Sequence, residues 1–297
     1  MEPAVTIIVA TRNRAPSLQN LLASLDRLRP SPISFEVLIV DNGSTDETPR
    51  ILSQWTGPGR QMLRIEQPGR SRALNAAILA ARGPVVAITD DDIVFDPGYV
   101  GAVWNFFSQH DCWAAQGSIS LPPEVALDPE LNTLLQLYES TVPKVEPVPG
   151  TRRPTLVGAN MVARRDVLKQ VGLFSEHLGP GAAGFLDDDD LAHRILAHGG
   201  WIGSMPEARV IHEVDPTRLT EEYFRRRHRL QGRSCYLFRK RGLFSHILPD
   251  LFKVGCDYAF FSLLRNSRRQ YHARGRWYHY REMLNVALGQ GHPGISG

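Results

Sequence analysis

The chain has 297 residues, of which 42% are hydrophobic and 22% charged, as in ordinary globular proteins with a substantial core. The net charge of +3 is unevenly distributed: residues 216–297 contain 16 Lys and Arg against 5 Asp and Glu, whereas the preceding residues contain 18 against 26. Such a basic C-terminal part is typical of proteins with an anionic partner, such as a nucleic acid, a phospholipid or a phosphorylated substrate.

Three cysteines without metal or redox spacing (Cys112, Cys235 and Cys256) argue against a disulfide scaffold and favour a reducing cytoplasm. The N-terminus leads into a strand pattern without the basic and apolar segments of a signal peptide. The longest apolar stretch, Leu243–Leu264, is interrupted by proline and charged residues, so we expect no membrane-spanning helix. We therefore expect a cytoplasmic protein, peripheral on the inner face of the membrane if its tail binds lipid.

The first part of the chain alternates short β-branched runs with amphipathic segments. Strands are predicted at Val5–Ala10, Phe35–Val40, Met62–Glu66 and from Val85 to the Asp90–Asp92 cluster. Helices are predicted from Ser17, from a Ser44/Glu47 capping box to about Trp55, and over Ser71–Ala81. This alternation predicts a parallel sheet covered by helices on both faces.

The next part is less regular and becomes helical and basic. The pattern predicts a helix near Tyr99–Phe107, a strand at Trp113–Leu121, a long loop over Pro122–Pro154 with a short helix at Leu131–Tyr138, a strand at Thr155–Ala163, a helix at Asp166–Val171, a helix from Asp187 through His198, a strand at Val210–His212, and mostly helix from Thr220.

Polar clusters follow three of the predicted parallel strands: Thr11, Asp41 and Asp90–Asp92. Ligands of such sheets bind beyond the carboxyl ends of the strands, so these residues predict a site at one edge. Three adjacent carboxylates at the end of a buried strand are costly unless a cation is near, and Mg²⁺ or Mn²⁺ with a phosphate-bearing ligand meets that need. A solvated acidic turn is the alternative.

Several motifs in this order resemble family 2 glycosyltransferases of the GT-A fold over about Thr6–Arg233: VTIIVATRNR, VLIVDNGSTDET, GRSRALN, ITDDD, FLDDDDLAHRI and VIH. The resemblance implies an α/β, Rossmann-like fold with a mostly parallel central sheet flanked by helices and a C-terminal basic helical extension. It places a catalytic domain at 1–215, with a nucleotide-binding half at about 1–120 and an acceptor-binding half at about 121–215. Residues 216–297 form the helical basic region.

The resemblance also implies which residues bind the donor. The residues that it implies bind the nucleotide-sugar are Thr11, Arg12, Arg14, Asp41, Arg72, Asn75, Asp90, Asp91 and Asp92. Arg12 replaces an aromatic found in many members, and a guanidinium can also stack on a base. Arg70 fits a solvated surface equally well. Asp92, with His212, is expected to bind the Mn²⁺ or Mg²⁺ that bridges the donor phosphates, and Asp90 to face the ribose or sugar.

Asp188 aligns with the catalytic base of the family, and Asp187 replaces the usual glutamate before it. A base without an evident nucleophile implies a single displacement and hence inversion at the anomeric carbon. The alternative reading of Asp187–Asp190 is a helix start that is acidic for dipole reasons. Gly158 and Asn160 are expected near the sugar or acceptor, and Arg226 and Arg227 near the diphosphate.

These expectations describe an inverting, metal-dependent hexosyltransferase of polysaccharide biosynthesis. Its donor is a nucleoside-diphosphate sugar, expected to be a UDP-sugar with dTDP and GDP open, and its acceptor is a glycan, a lipid-linked glycan or a small molecule. The alternatives are a sugar nucleotidyltransferase, although ATRNR lacks the glycines of that class, and a non-catalytic binding module. The basic helical tail could bind an anionic membrane, pack on the catalytic domain or form a homodimer surface. We expect no nucleic-acid partner, because no nucleic-acid-binding motif accompanies the basic charge.

Overall fold

The computed structural model describes residues 2–29, 33–239 and 242–290. The contacts divide the chain into two units. The first comprises the residues up to Leu121, Pro143–Glu176 and Asp187–Glu213, and the second comprises Pro122–Val142, His177–Leu186 and the residues from Val214. The second unit thus includes two segments from the predicted acceptor-binding half, and a functional boundary at residue 215 stays a prediction.

The first unit contains one sheet. Its strands are β1 (Val5–Thr11), β2 (Phe35–Asp41), β3 (Arg60–Arg64), β4 (Val85–Thr89), β5 (Ile93–Phe95), β6 (Ala114–Ser120), β7 (Arg152–Arg153), β8 (Asn160–Arg164) and β9 (Ile202–His212). The order is β3-β2-β1-β4-β8-β6-β9-β5, with β7 paired to β9. Strands β3, β2, β1 and β4 are mutually parallel, and β8 joins β4 to β6 through two antiparallel pairings, which returns β6 and β9 to the same direction. The sheet of the described residues is therefore mostly parallel, as predicted.

The helices precede, separate and follow these strands. They are α1 (Ala15–Asp26), α2 (Thr48–Gln54), α3 (Arg70–Ala80), α4 (Tyr99–Gln109), α5 (Pro123–Leu127), α6 (Pro129–Leu137), α7 (Arg165–Gln170), α8 (Asp187–Ala197), α9 (Glu221–Arg239), α10 (Leu248–Leu263) and α11 (Ser267–Ala287). None of the helices in the described part of the chain combines the length and apolarity needed to cross a bilayer.

Both faces of the sheet are covered, and the alternation of side chains along β1 shows how. Ile7 and Val9 belong to a buried cluster with the leucines of α1 and the apolar side of α4. Ile8, on the opposite face, belongs to a second cluster with α3, α7 and α8. A strand buried on both faces is apolar at nearly every position, and in VTIIVA the exception is Thr6, whose hydroxyl donates to Glu36. The predicted α/β fold class is confirmed.

The predicted capping box at Ser44 and Glu47 is wrong. Helix α2 begins at Thr48, and no side-chain hydrogen bond caps it at Glu47. The Ser44 hydroxyl instead accepts from the amide of Asn13, and Asp46 accepts from the amide of Thr48. The polar side chains of this segment therefore fix the loops after β1 and β2 to each other.

The predicted long loop over Pro122–Pro154 has more regular structure than expected, although the short helix predicted within it at Leu131–Tyr138 is confirmed as α6. This stretch contains α5, α6 and β7, and Asp128 caps α6 by accepting from the amides of Glu130 and Leu131 at 3.0 Å. Prolines lie in the first turn of both helices, where a missing N–H costs nothing. Two of the prolines that suggested a loop, Pro123 and Pro129, are therefore helix starts.

Candidate active site

The first acidic cluster, Asp90–Asp92, directly follows β4. It is followed by the short strand β5, which pairs with β9. Ile93 pairs with His212 in the antiparallel β5–β9 ladder, and the amide of Glu213 donates to the carbonyl of Asp92 at 2.8 Å. This register places the buried imidazole of His212 beside Asp92, with 3.1 Å between Nε2 and Oδ1. Two residues 120 positions apart thus meet because a three-residue strand aligns them.

Asp90, Asp92 and His212 each offer one ligand atom, and these atoms lie within 4.8 Å of one another. His212 Nδ1 lies 2.7 Å from the carbonyl oxygen of Glu213. A carbonyl can only accept, so Nδ1 carries the hydrogen and Nε2 faces the carboxylates. Two carboxylates and one imidazole suit a divalent ion, and the imidazole favours Mn²⁺ over Mg²⁺. The residues therefore fit the metal that the sequence predicts.

In this arrangement the pKa of His212 is raised. Burial by itself lowers it, but the hydrogen bond to Asp92 and the negative charges of Asp92 and Asp90 outweigh burial. The neighbouring carboxylates therefore favour the protonated form of His212 more than water does.

Arg14 provides a second cation at the same cluster. Its Nη2 donates to Asp92 Oδ2 at 2.7 Å, and its Nε lies 3.5 Å from Asp91 Oδ1. Burial, and next the charge of Asp92, raise the pKa of Asp91 to about 6, although Arg14 opposes the shift. The predicted donor-binding arginine is thus placed on the acidic cluster itself.

Arg70 connects the two acidic clusters of the sequence. From the first turn of α3 its Nη2 donates to Asp90 Oδ1 at 2.8 Å, and its Nη1 donates to Asp187 Oδ2 at 2.9 Å. The carbonyl of Gly158 also accepts from Nη2 at 3.3 Å. The two neighbouring carboxylates hold the pKa of Arg70 above its ordinary value despite burial. Sequence reasoning left Arg70 as an optional surface residue, so its central position is a finding of the tertiary structure.

Asp188 lies on the first turn of α8, next to Asp187. Its Oδ2 accepts from the amide of Gly158 at 2.9 Å, and its Oδ1 accepts from the amide of Asp189 at 2.9 Å. Burial, followed by the charges of Asp187 and Asp189, raises the pKa of Asp188 to about 7. A carboxylate with this pKa can exchange a proton near neutral pH. Asp190 differs, because it forms an ion pair with Arg194 one turn along the helix.

Asp41 ends β2 opposite Thr11, and both are buried. Its Oδ1 accepts from the amide of Ser44 at 2.9 Å, and its Oδ2 accepts from Arg64 Nη1 at 2.6 Å. Arg64 was not among the predicted site residues. The β2–β3 register pairs Asp41 with Arg64, and an arginine at the end of the third strand was the signal available in the sequence. Arg12, by contrast, is exposed to solvent.

Three predicted residues are engaged away from the acidic clusters. Arg72 pairs with Glu176 at 2.9 Å. The amide of Asn75 donates to and accepts from the backbone of Phe174. Asn160 is fully buried, with its oxygen accepting from Tyr99 and its nitrogen donating to two strand carbonyls. Both asparagines use their amides to fix the fold, so the geometry offers no support for direct ligand contact by either.

Arg226 and Arg227 lie on α9 in the second unit. Arg226 is exposed, whereas Arg227 donates to the carbonyl of Ser140 at 2.7 Å and lies over the ring of Phe185. These two contacts lie within the second unit, and a role of Arg227 in diphosphate binding stays a prediction.

Comparison with known proteins identifies relatives of this chain. The model of glycosyl transferase family 2 matches residues 6–172, more than half of the chain. A succinoglycan biosynthesis protein, ExoU of Rhizobium meliloti (strain 1021), is 29% identical over 208 residues, which cover 66% of this chain and 57% of that protein. An N-acetylglucosaminyl-diphospho-decaprenol L-rhamnosyltransferase of Mycobacterium tuberculosis (strain CDC 1551 / Oshkosh) is 26% identical over 243 residues, 71% of this chain and 76% of that protein.

Solved structures share the fold. A mannosyltransferase of Pyrobaculum calidifontis in complex with GDP-Man and Mn²⁺ has a TM-score of 0.60 at 22% identity, covering 99% of this chain and 77% of that one. S. aureus TarS (residues 1–349) in complex with UDP-GlcNAc has a TM-score of 0.55 at 16% identity, covering 98% and 93%. These likenesses concern architecture and leave the choice of nucleotide and acceptor open.

Proposed function

We propose, from the premise that this chain belongs to glycosyl transferase family 2, that it transfers a sugar from a nucleoside-diphosphate sugar to an acceptor hydroxyl with inversion at the anomeric carbon. The observation that carries the proposal is the pair of acidic clusters linked by Arg70. One cluster has the donor set of a divalent metal site, and the other contains Asp188, whose pKa is raised to about 7. A metal site and a base in one site are what a single displacement requires.

In this proposal one set of residues binds the donor and another acts on the acceptor. Asp90, Asp92 and His212 would hold the cation, which when bound supplies charge neutralisation for the leaving diphosphate. Arg14 and Arg70 fix the orientation of the carboxylates and limit their mutual repulsion. We assign contacts with the base and ribose to Asp41 and Thr11, and their position at the ends of adjacent strands supports this assignment.

Asp188 acts on the acceptor. In its ionised form it accepts the proton of the acceptor hydroxyl while that oxygen attacks the anomeric carbon and the bond to the diphosphate breaks. The amide of Gly158 donates to the carboxylate and orients it, and Arg70 holds the neighbouring Asp187 in an ion pair. Because the displacement occurs once, the anomeric configuration is inverted.

For the donor we propose a UDP-sugar. The similar folds bind GDP-Man in one case and UDP-GlcNAc in another, so the fold supports both nucleotides. For the acceptor we propose a lipid-linked glycan in polysaccharide assembly, since relatives are named for succinoglycan biosynthesis and for rhamnosyl transfer to a diphospho-decaprenol sugar. Activity on either class of molecule remains a proposal, because the match spans 57% of ExoU.

Thermal unfolding with UDP, dTDP, GDP, CDP and ATP, each with Mn²⁺ and with EDTA, tests the donor half of the proposal. A ligand that binds the native state raises the midpoint of thermal unfolding by mass action. We therefore expect one of the diphosphates to raise this midpoint when Mn²⁺ is present but not when EDTA is present. Stabilisation confined to ATP would favour nucleotidyl transfer. Absence of any shift, with the metal added, would contradict a donor site at this edge of the sheet.

A further inference from the structure

Helix α10 in the second unit exposes a row of large apolar side chains along one side. Phe252, Cys256 and Phe260 follow one another at four-residue spacing and Leu263 comes three residues later, so they share one helical face. Phe252 is 76% exposed, Phe260 57% and Leu263 83%. Phe244, in the turn before the helix, is 79% exposed. We call Phe252, Cys256, Phe260 and Leu263 the apolar row.

The opposite side of α10 packs within its own unit. Val254 is fully buried, and a Cβ at Gly255 would lie 3.3 Å from the ring of Trp277 on α11. Asp257 on α10 forms an ion pair with Arg276 on α11, with 3.4 Å between the two charged groups. The helix is therefore held by α11, and the apolar row is a surface feature of a packed helix.

Basic residues outnumber the two acidic residues of α10, Asp250 and Asp257, around the apolar row. Lys253 lies beside Phe252 and is exposed, and Arg265, exposed, follows the last turn directly. Arg269 lies in the first turn of α11, with its guanidinium over the ring of Phe261 at 5.4 Å. Asp257, an acidic residue of α10, is neutralised by Arg276. An apolar row edged by cations matches the surface of an anionic membrane. The aromatic rings can be buried among the acyl chains while the cations pair with the anionic headgroups.

We propose that α10 docks the protein on anionic phospholipid membranes, with the apolar row inserted at the boundary between headgroups and acyl chains. Sixteen residues form a helix of about 24 Å, and a helix with one polar side lies in the membrane plane. A second copy of the chain is a poorer occupant, because residues 216–297 carry 16 Lys and Arg against 5 Asp and Glu and two such surfaces repel each other. Docking does not depend on the proposed transferase activity and is measured without it.

Flotation with vesicles of phosphatidylglycerol and phosphatidylcholine, compared with phosphatidylcholine alone, tests the docking at low salt. We expect the protein to float with the anionic vesicles, and to be released by salt in part only, because the apolar contribution resists screening. A triple variant, Phe252→Ser, Phe260→Ser and Leu263→Ser, should lose at least about tenfold in vesicle affinity. The exposed residues Leu79 on α3 and Leu127 on α5 provide matched controls, and Leu79→Ser and Leu127→Ser should bind as the unaltered protein does.

Cys256 supplies a second measurement. It is exposed within the apolar row, whereas Cys112 is buried and burial raises the pKa of its thiol to about 11. In a Cys235→Ser background, a polarity-sensitive fluorophore on Cys256 should shift to the blue when anionic vesicles are added. Failure of the protein to float with anionic vesicles, or unchanged binding by the triple variant, would overturn the proposal. Self-association that the triple variant abolishes, without vesicle binding, would instead assign the row to a second copy.

Discussion

The aspartates of the two clusters differ in what their oxygens contact, and this separates their roles. Asp92 has a cation on one oxygen, Arg14, and the imidazole of His212 on the other. Asp188 accepts from two backbone amides and has a pKa raised to about 7. Asp92 belongs to a set of possible metal-ligand atoms with Asp90 and His212, whereas a carboxylate with a raised pKa suits proton transfer.

We predict that Asp188→Asn lowers turnover by at least about a hundredfold, because the amide cannot accept the acceptor proton. Mn²⁺-dependent binding of the donor diphosphate should persist, since Asp188 is outside the metal triad. The measurements are initial rates of sugar transfer and a calorimetric titration with the nucleotide. Asp189→Asn, next to it on the same turn, should retain activity within about fivefold. Equal losses in both variants would argue against a specific base.

The pH dependence of kcat/KM follows from the same residue. Since the base must be ionised, and its pKa is raised to about 7, activity should fall as pH decreases through that value, about tenfold for each further unit. A profile under saturating Mn²⁺ checks this. A rate that stays level down to about pH 5 would show that Asp188 is not the titrating base.

Arg70 and Arg72 lie two residues apart on α3 but in different environments, which makes them a matched pair. Arg70→Met should destabilise the protein by about 3 kcal/mol in EDTA, because it leaves two carboxylates without their shared partner. Arg72→Met removes a half-exposed pair with Glu176 and should cost less than about 1 kcal/mol. Urea unfolding of both variants gives the comparison, and similar losses would contradict the bridging role of Arg70.

At the scale of elements, the loop before β8 links strand, helix and site. Gly158 donates its amide to Asp188 on α8, and its carbonyl accepts from Arg70 on α3. A Cβ at this position would lie 2.7 Å from Nη2 of Arg70, whose guanidinium already pairs with two carboxylates, Asp90 and Asp187. The loop therefore has room for glycine and little else.

We predict that Gly158→Ala lowers turnover by about tenfold or more, because displaced Arg70 and Asp188 no longer hold their positions. Gly101→Ala is the control: on α4 its added Cβ meets nothing within 4 Å, and alanine favours a helix by up to about 1 kcal/mol. The measurements are the rate of sugar transfer and the midpoint of thermal unfolding of Gly158→Ala and Gly101→Ala. Full activity in Gly158→Ala would mean that Arg70 can shift without consequence.

Elements also show where sequence patterns stop being informative. The apolar runs of β1, β2 and β4 are long enough to predict strands, and the structure confirms them. Strand β5 has three residues and was missed, because so short a run carries no period of its own and forms only by pairing with β9. The position of His212 next to Asp92 depends on that pairing.

For the molecule as a whole, metal binding should appear as stability. We predict that Mn²⁺ at about a hundredfold over its Kd raises the unfolding midpoint by about 5 °C or more, and that EDTA reverses the rise. His212→Ala should remove most of the shift, since it deletes one ligand of three. His198→Ala, exposed at the end of α8, should keep it. An undiminished shift in His212→Ala would locate the metal elsewhere.

The sequence by itself determined the fold class and the family, because buried parallel strands are apolar at nearly every position and the motifs occur in a fixed order. It also placed Thr11, Asp41 and Asp90–Asp92 at strand ends, since parallel strands bring their carboxyl ends to one edge. Only the tertiary structure decided that Arg70 joins Asp90 to Asp187, that Arg64 pairs with Asp41, and that Asn75 and Asn160 serve the fold. The reason is physical: a polar side chain is defined by the partner it meets, and partners 20 to 117 residues away are set by strand register and helix packing.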